Sequence, residues 1–532
     1  MQKRIWISLG FVAVLLAGIS TRILCIIFEQ PAQVVSSHNR WTVSVATTRG
    51  TIYDTNLLPF VNETHEYRAA MIPSERLLSH VSDATSITQF SALREQLAKG
   101  IPAAVRLTKA IGFAEGLRLF WVPTRYSERL LAPHTIGYLD ADGMHGVVGI
   151  EASYDQLLTQ YNGYAKATFS VDGKGGLLYG IEPDCVDTTK NSVGGVVLTL
   201  DKRLQEIVEN VGDAHLPMGA IIVMQPYSGE ILALASFPSF QPQTVAQSIA
   251  EDNGALLNRA VSLYDCGSVF KIITTAAALE NGVTVHETFN CNGYMDVDGT
   301  RFHCHNRLGH GKLDMKEAFA QSCNLYYIQL AQEIGAKALL DTAKRFGLDK
   351  EIILADAIRT KPALLPESET INASRAALAN FSFGQGYLMA SPLHFAQIVS
   401  SIVNDGVSTN PTLVKGFLDE NKQYSAIEKG RGETVLSPET AACLQQMMAL
   451  TVTDGTGLSA APEVCSAAGK TGTAETGQVS DGNAVVQSWF VGYFPVESPQ
   501  YVICVLAEDS TGTNAKATNV FRELANKIYN LN

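Results

Sequence analysis

Ser268 and Lys271 stand three residues apart in Gly267-Ser268-Val269-Phe270-Lys271, just before an apolar, alanine-rich tract from Ile272 to Leu279. On a helix this spacing puts the hydroxyl and the amine on one face, one turn apart. A serine hydroxyl is a poor nucleophile until a base takes its proton. A lysine serves as that base only when desolvation or nearby positive charge lowers its pKa. The hydroxyl would sit at a helix N-terminus, where backbone N–H groups favour developing negative charge. Fifty-four residues after Ser268 comes Ser322-Cys323-Asn324, and 146 residues after Asn324 comes Lys470-Thr471-Gly472-Thr473. Lys470 supplies a second cation, able to hold a substrate carboxylate and to keep Lys271 neutral. Serine–lysine acyl transfer is a variant of the Ser-His-Asp arrangement. A lone SxxK is expected by chance roughly once or twice in a chain of this length, and a KTG about 0.2 times. The weight therefore rests on the ordered set.

Elements must hold these residues together, and the chain is long enough to supply them. Its 532 residues suffice for two or three domains. With 46% hydrophobic and 17% charged residues it reads as globular rather than disordered. A net charge of −12 argues against a nucleic-acid binder and against a broad basic surface for anionic lipid.

Lys3 and Arg4 precede an uncharged apolar run from Ile5 to Thr21. Arg22 interrupts it, and Ile23 to Phe28 is apolar again. The run is just long enough to span a bilayer, with Arg22 snorkelling to the outer interface. Basic residues before the run place the N-terminus inside and the bulk of the chain outside. A cleaved signal peptide fits less well, because the apolar run is long and no small-x-small site follows. Lipidation of Cys25 also fits poorly, since the large Leu24 precedes it. The expectation is an uncleaved single-pass anchor.

Nine cysteines occur, at 25, 185, 266, 291, 304, 323, 443, 465 and 504. An outside compartment favours disulfides, but the odd count and uneven spread do not suggest a simple framework. A low-oxygen habitat or a metal role for some of them would explain the pattern.

Residues 29 to about 200 form a first region. It holds Arg49-Gly50-Thr51-Ile52-Tyr53-Asp54, His134-Thr135-Ile136-Gly137-Tyr138 and Gly146-Val147-Val148-Gly149-Ile150-Glu151, the last running into an amphipathic helix start through Leu158. Lys166 to Leu200 is strand-like with glycine breaks. With no candidate catalytic set, a structural and partner-binding role is its default. In the second region, Met218–Met224 and Glu230–Ser236 read as a hairpin around Gln225-Pro226-Tyr227-Ser228-Gly229. Ser268–Glu280 reads as a helix closed by Asn281-Gly282. Lys470–Glu475, Val485–Tyr493 and Tyr501–Glu508 read as strands and Phe521–Tyr529 as a final helix, with no further module expected after it. The result is α+β: an antiparallel sheet of about five strands with helices covering its faces.

With these motifs the chain resembles the class B penicillin-binding proteins, monofunctional D,D-transpeptidases of peptidoglycan synthesis. It is similar to their stage V sporulation protein D and penicillin-binding protein 2 branch. Asn258-Arg259-Ala260, Phe383-Gly384-Gln385-Gly386, Ser391-Pro392-Leu393 and Trp489-Phe490-Val491-Gly492-Tyr493 support the likeness. No segment has the length or pattern of a glycosyltransferase domain, which argues against class A. The resemblance implies a cytoplasmic tail at 1–4, an anchor at 5–28, an elongated α+β pedestal of the dimerisation type at 29–201 and a transpeptidase domain at 202–532. It implies Ser268 as nucleophile, Lys271 as base, and Ser322 and Asn324 as cleft-lining proton relay. Lys470 and Thr471 would bind the substrate carboxylate, with Thr471, Gly472 and Thr473 as the substrate-binding strand, and the N–H groups of Ser268 and Thr473 would form the oxyanion hole. The implied partners are peptidoglycan stem peptides, β-lactams and a membrane glycosyltransferase of the elongation, division or sporulation machinery, with no nucleic acid. The chain departs from the family at Cys266, where proline is usual, which is expected to loosen the nucleophile turn. It departs again at Thr55-Asn56-Leu57, where Arg-Asn-Gly is usual.

Cys291, Cys304, His310 and Cys323 follow a C-x12-C-x5-H-x12-C spacing, with Asp298, His303 and His305 nearby. Ligand type and count favour a structural zinc with no open position. A Cys291–Cys304 disulfide or unpaired buried thiols are the alternatives. Some sporulation-branch relatives resemble this arrangement and carry zinc near the active site. The acyl-transfer chemistry itself requires no cofactor. Two other functions remain open at the level of sequence: a hydrolytic carboxypeptidase or β-lactamase, disfavoured by the anchor and pedestal, and a non-enzymatic β-lactam receptor or cell-wall scaffold, disfavoured by the intact Ser268, Lys271 and Lys470.

Overall fold

The computed structural model describes residues 2–29, 40–174, 176–178, 180–428, 430–480, 483–511 and 515–531. Met1 of the expected tail, positions 175 and 179 of the strand-like stretch, and the side chain of Cys25 lie outside the described residues. A helix runs from Gln2 to Glu29, and its Trp6–Leu24 stretch is long and apolar enough to cross a membrane. Arg22 falls within that stretch rather than ending it.

The chain forms two compact units, and they are interleaved in sequence. One comprises 1–49, 62–125 and 162–192, and the other 50–61, 126–161 and 193–532. The edges of these units do not coincide with the expected domain boundary at 201/202. Local pairing explains the difference: Thr51–Tyr53 runs parallel to Gly195–Leu198, which pairs antiparallel with Val414–Leu418. Ile52, fully buried, joins the core of the larger unit through this sheet. The Arg-Gly-Thr-Ile-Tyr-Asp stretch is thus divided, with only Arg49 in the smaller unit.

The smaller unit is α+β. Its antiparallel sheet has the order Ala103–Leu107, His65–Met71, Leu117–Pro123, and a second antiparallel sheet has the order Arg40–Thr48, Gly163–Ser170, Asp184–Asp187. Leu77, Leu93 and Leu97 from helices Glu75–Val81 and Ile87–Ala98 close its core against Val122 and Phe169.

The larger unit is built on five strands: β1 (Gly219–Met224), β2 (Ile231–Phe237), β3 (Ala468–Ser480), β4 (Asn483–Phe494) and β5 (Tyr501–Thr511). They form one antiparallel sheet of order β2-β1-β5-β4-β3. Its principal helices are α1 (Lys202–His215), α2 (Lys271–Glu280), α3 (Asn324–Arg345, broken at Gly335), α4 (Pro392–Val403), α5 (Pro438–Asp454) and α6 (Ala515–Tyr529). Ile222, Cys504, Leu506, Trp489 and Val491 point into the core that holds α2, α3 and α4. Their alternates Ile221, Val223, Val505, Ile503 and Phe490 point into a second core under α1 and α6. Burial on both faces explains why β1 reads as an unbroken apolar run. The late strands and the last helix extend past their expected bounds: backbone pairing continues out to Ser480–Asn483 and Val485–Thr511, and the helix starts at Ala515. The expected helix at Ser268 opens as a 3-10 turn, Gly267–Phe270, before α2 begins.

The departure at Thr55-Asn56-Leu57 is absorbed by Asp54. Its buried carboxylate accepts from the N–H groups of Asn56 (2.8 Å) and Leu58 (2.7 Å), and from that of Lys202 at 3.2 Å. Leu57 is left in the left-handed region at φ 63, 47% exposed. A residue with a Cβ pays for that conformation and glycine does not, though glycine loses more entropy on folding. Leu57→Gly is therefore expected to raise unfolding stability by about 1 kcal/mol, read as a shift of the denaturation midpoint. A lower midpoint would show that the turn is unstrained.

Candidate active site

The Ser268 turn is wedged between two backbones. Gly267 adopts φ 58, and a Cβ there would lie 2.3 Å from the carbonyl oxygen of Thr473. Its N–H donates to the Gly384 carbonyl at 3.0 Å. Gly384, at φ 85, faces it so closely that a Cβ would lie 1.9 Å from the Gly267 carbonyl. These two glycines let the turn touch β3 on one side and the 383–386 loop on the other. Gly472 packs against Val269 and the Cys266 carbonyl. Cys266 is fully buried at φ −79, an angle that suits proline as well, and its thiol reaches the Tyr264 carbonyl at 3.8 Å. The turn is therefore tightly packed, against the expectation that Cys266 loosens it.

The other supporting motifs frame the same turn. Tyr264 and Asp265 pair with Ala390 and Met389, just before the Ser391 cap of α4. Trp489 Nε1 donates to the Asp265 carbonyl at 3.0 Å. Arg259 pairs with Glu508 at 2.7 Å, and the Tyr264 hydroxyl donates to the same carboxylate at 3.2 Å.

The three motifs converge on one hydroxyl. Lys271 Nζ donates to Asn324 Oδ1 at 2.6 Å and to the Ser322 carbonyl at 2.7 Å, and lies 3.2 Å from Ser322 Oγ. Lys470 Nζ reaches Ser322 Oγ at 3.0 Å and the Thr471 carbonyl at 3.1 Å. Both lysines are 0% exposed. Ser322 itself sits at φ 53, a strained angle for a side-chain-bearing residue, of the kind found where function over-determines the backbone. Ser268 is half-buried one turn before Lys271, whose N–H donates to the Ser268 carbonyl.

Burial pushes the Lys271 ammonium down to about 7, opposed by the negative character of the Cys323 and Cys304 thiols. Lys470 is pushed well below the lysine range by burial and by the charge of Lys271. One face of this cleft thus holds two amines that resist protonation beside a hydroxyl that can pass protons between them.

The four cysteine-cluster residues also meet. Pairing of Phe289–Cys291 with Gly311–Leu313 sets Cys291 opposite Gly311, next to His310. Cys304 follows the Tyr294–Val297/Thr300–His303 hairpin, and Cys323 precedes α3. Their ligand atoms all lie within 4.8 Å of one another. The Cys304–Cys323 sulfurs are 3.9 Å apart, and Cys304 Sγ lies 3.5 Å from His310 Nδ1. A tetrahedral zinc with ordinary bond lengths has S–S edges of about 3.8 Å and S–N edges of about 3.6 Å. Among the donors, Cys304 is drawn toward thiolate chiefly by its contact with Cys323, whose own thiol the same contact pushes up, and burial lowers His310, favouring its neutral form. All four residues fit the metal, and Cys291, Cys304 and Cys323 are free thiols rather than a disulfide pair. Asp298 lies apart, accepting from the Arg375 N–H, and His303 is exposed. His305 Nδ1 lies 3.9 Å from Cys304 Sγ, and its ring centroid is 5.0 Å from that of His310.

Sequence motifs did not single out Thr456, whose hydroxyl lies 2.7 Å from that of Thr471. Its only sequence signal is the pair of flanking glycines, Gly455 and Gly457.

Comparison with known proteins agrees with this geometry. Residues 219–526 match the penicillin binding protein transpeptidase domain. Stage V sporulation protein D of Bacillus subtilis is 32% identical over 400 residues, covering 71% of this chain; the match spans 59% of that relative's length. The peptidoglycan D,D-transpeptidase PbpA of Mycobacterium tuberculosis is 33% identical over 340 residues, 59% of this chain and 67% of the relative. The D,D-transpeptidase domain structure of a peptidoglycan glycosyltransferase from Eggerthella lenta is 26% identical, with a TM-score of 0.65 over 91% of this chain and 99% of that one.

Proposed function

The chain belongs to the penicillin-binding protein transpeptidase family, on its class B branch, and from that premise we propose that it crosslinks peptidoglycan stem peptides through an acyl-enzyme on Ser268. The convergence of Lys271, Asn324 and Lys470 on Ser322 beside the Ser268 turn carries this reading.

The proposed reaction starts with the carboxylate of the terminal D-Ala-D-Ala, held by Lys470 and Thr471. Charging Lys470 disfavours a second ammonium nearby, so Lys271 is neutral as the substrate arrives. Lys271 takes the Ser268 proton, and Ser268 Oγ attacks the penultimate D-Ala carbonyl. The N–H groups of Ser268 and Thr473 hold the resulting oxyanion, a contribution of about 3 kcal/mol per donor in other serine enzymes. The proton passes from Lys271 by way of Ser322, with Asn324 orienting the amine, to the departing D-Ala nitrogen. The amine of a neighbouring stem then takes the acyl group, its proton returning along the same path. A penicillin acylates the same serine.

Lys3 and Arg4, ahead of the apolar stretch Trp6–Leu24, support an anchor with its N-terminus inside and the catalytic unit outside the membrane. A crosslinking enzyme acts on glycan strands as they are made, so the natural partner is a membrane glycosyltransferase of the elongation, division or sporulation machinery.

The second part of the proposal is a structural zinc held by Cys291, Cys304, His310 and Cys323. When bound, the metal supplies a rigid crosslink and no reactive position. Cys323 lies between Ser322 and Asn324, so its ligation would fix the turn that orients both.

Two outcomes are expected. Fluorescent penicillin labels the full-length protein covalently and does not label Ser268→Ala; equal labelling of the variant would refute the acyl-transfer reading. Metal analysis of the purified protein finds about one zinc per chain. No metal together with two fewer titratable thiols would replace the zinc with a disulfide.

A further inference from the structure

Thr456 belongs to none of the three motifs, yet it bonds to the segments carrying two of them. Its hydroxyl meets the Thr471 hydroxyl at 2.7 Å on β3. Its N–H donates to the Ala320 carbonyl at 3.0 Å, and its hydroxyl lies 3.3 Å from the same oxygen. Ala320 ends helix Met315–Ala320, two residues before Ser322. Gln321 fastens the same loop by donating to the Asp454 carbonyl at 2.9 Å. The 454–457 loop therefore joins the Ser322 turn to the strand expected to hold the substrate carboxylate.

Proton counting gives this bridge a direction. A threonine hydroxyl has one proton and two acceptor positions. Thr471 can donate to a substrate carboxylate only if its proton is not already engaged by Thr456. The 2.7 Å contact then needs Thr456 as its donor. The competing acceptor, the Ala320 carbonyl, lies at 3.3 Å, beyond the usual range for an O–H···O bond.

We infer that Thr456 is a positioning residue of the carboxylate site: it donates to Thr471 Oγ1, fixes the Thr471 rotamer and leaves the Thr471 proton to meet the carboxylate of a stem peptide or β-lactam. This rests on the transpeptidase reading and specifies its first step. Thr456 does not touch the reacting atoms; it acts through Thr471.

The test uses the full-length protein and compares acylation rate constants for a penicillin and for its methyl ester, which lacks the free carboxylate. Thr456→Val is expected to slow the penicillin about tenfold, the scale of one hydrogen bond to a charged group, while changing the ester by less than about twofold. Thr456→Ser, which keeps the hydroxyl, restores the wild-type preference. In a Thr471→Val background, Thr456→Val adds no further loss of preference, because the two hydroxyls act as one unit. Equal slowing of penicillin and ester, no slowing of either, or a full additional loss in the Thr471→Val background would overturn the inference. A wild-type protein that neither compound acylates would overturn the transpeptidase reading itself.

Discussion

Two buried lysines share one serine hydroxyl, and the rest of the site follows from that. Lys271 and Lys470 both approach Ser322 Oγ, at 3.2 and 3.0 Å, so their Nζ atoms are within about 6 Å of each other. Two ammonium groups at that separation repel by roughly 3 kcal/mol at an effective dielectric near 20. Burial adds to the penalty, and no Asp or Glu pairs with either lysine among the described residues. Their partners are neutral: an amide oxygen, two carbonyls and a hydroxyl. At least one amine therefore loses its proton readily, the state a serine nucleophile needs beside it.

The fold holds this unfavourable pair by over-determining its surroundings. α2 brings Lys271, β3 brings Lys470, and the turn before α3 brings Ser322 in a strained conformation. The contact between Gly267 and Gly384 and the approach of Gly267 to Thr473 lock α2 against β3. Cys323, between Ser322 and Asn324, belongs to the Cys291, Cys304, His310 and Cys323 cluster, which in the proposed zinc-bound form anchors the same turn. In the proposed zinc-bound form that anchor is a set of metal bonds rather than packing alone.

Much of this was legible in the sequence because chemistry constrains residue type there. Ser268, Lys271, Ser322, Asn324 and Lys470 were identifiable from order and spacing, and the structure brings the two lysines together with Ser322 and Asn324. The sheet was legible because β1, β2, β4 and β5 are apolar runs buried on one or both faces. The unit boundaries were not, since the pairing of Thr51–Tyr53 with Gly195–Leu198 joins segments about 140 residues apart and leaves no local pattern. The nature of the Cys266 turn was hidden for a similar reason: its tightness comes from backbones at 384 and 473. Thr456 was missed because a single threonine between glycines looks like any loop until its partner Thr471 is in view.

In the proposed reaction Lys271 works as a neutral amine at ordinary pH. The direct measurement is the rate constant of acylation by a penicillin as a function of pH. The neutral form is the base, and burial lowers the ammonium from the usual 10.5 to about 7. The active form therefore dominates above about 7 and is lost as pH falls through that value. The account predicts a rate that rises from acid pH to a plateau with its midpoint near 7. A rate that keeps climbing toward the ordinary lysine range, with no plateau below about pH 9, would contradict it.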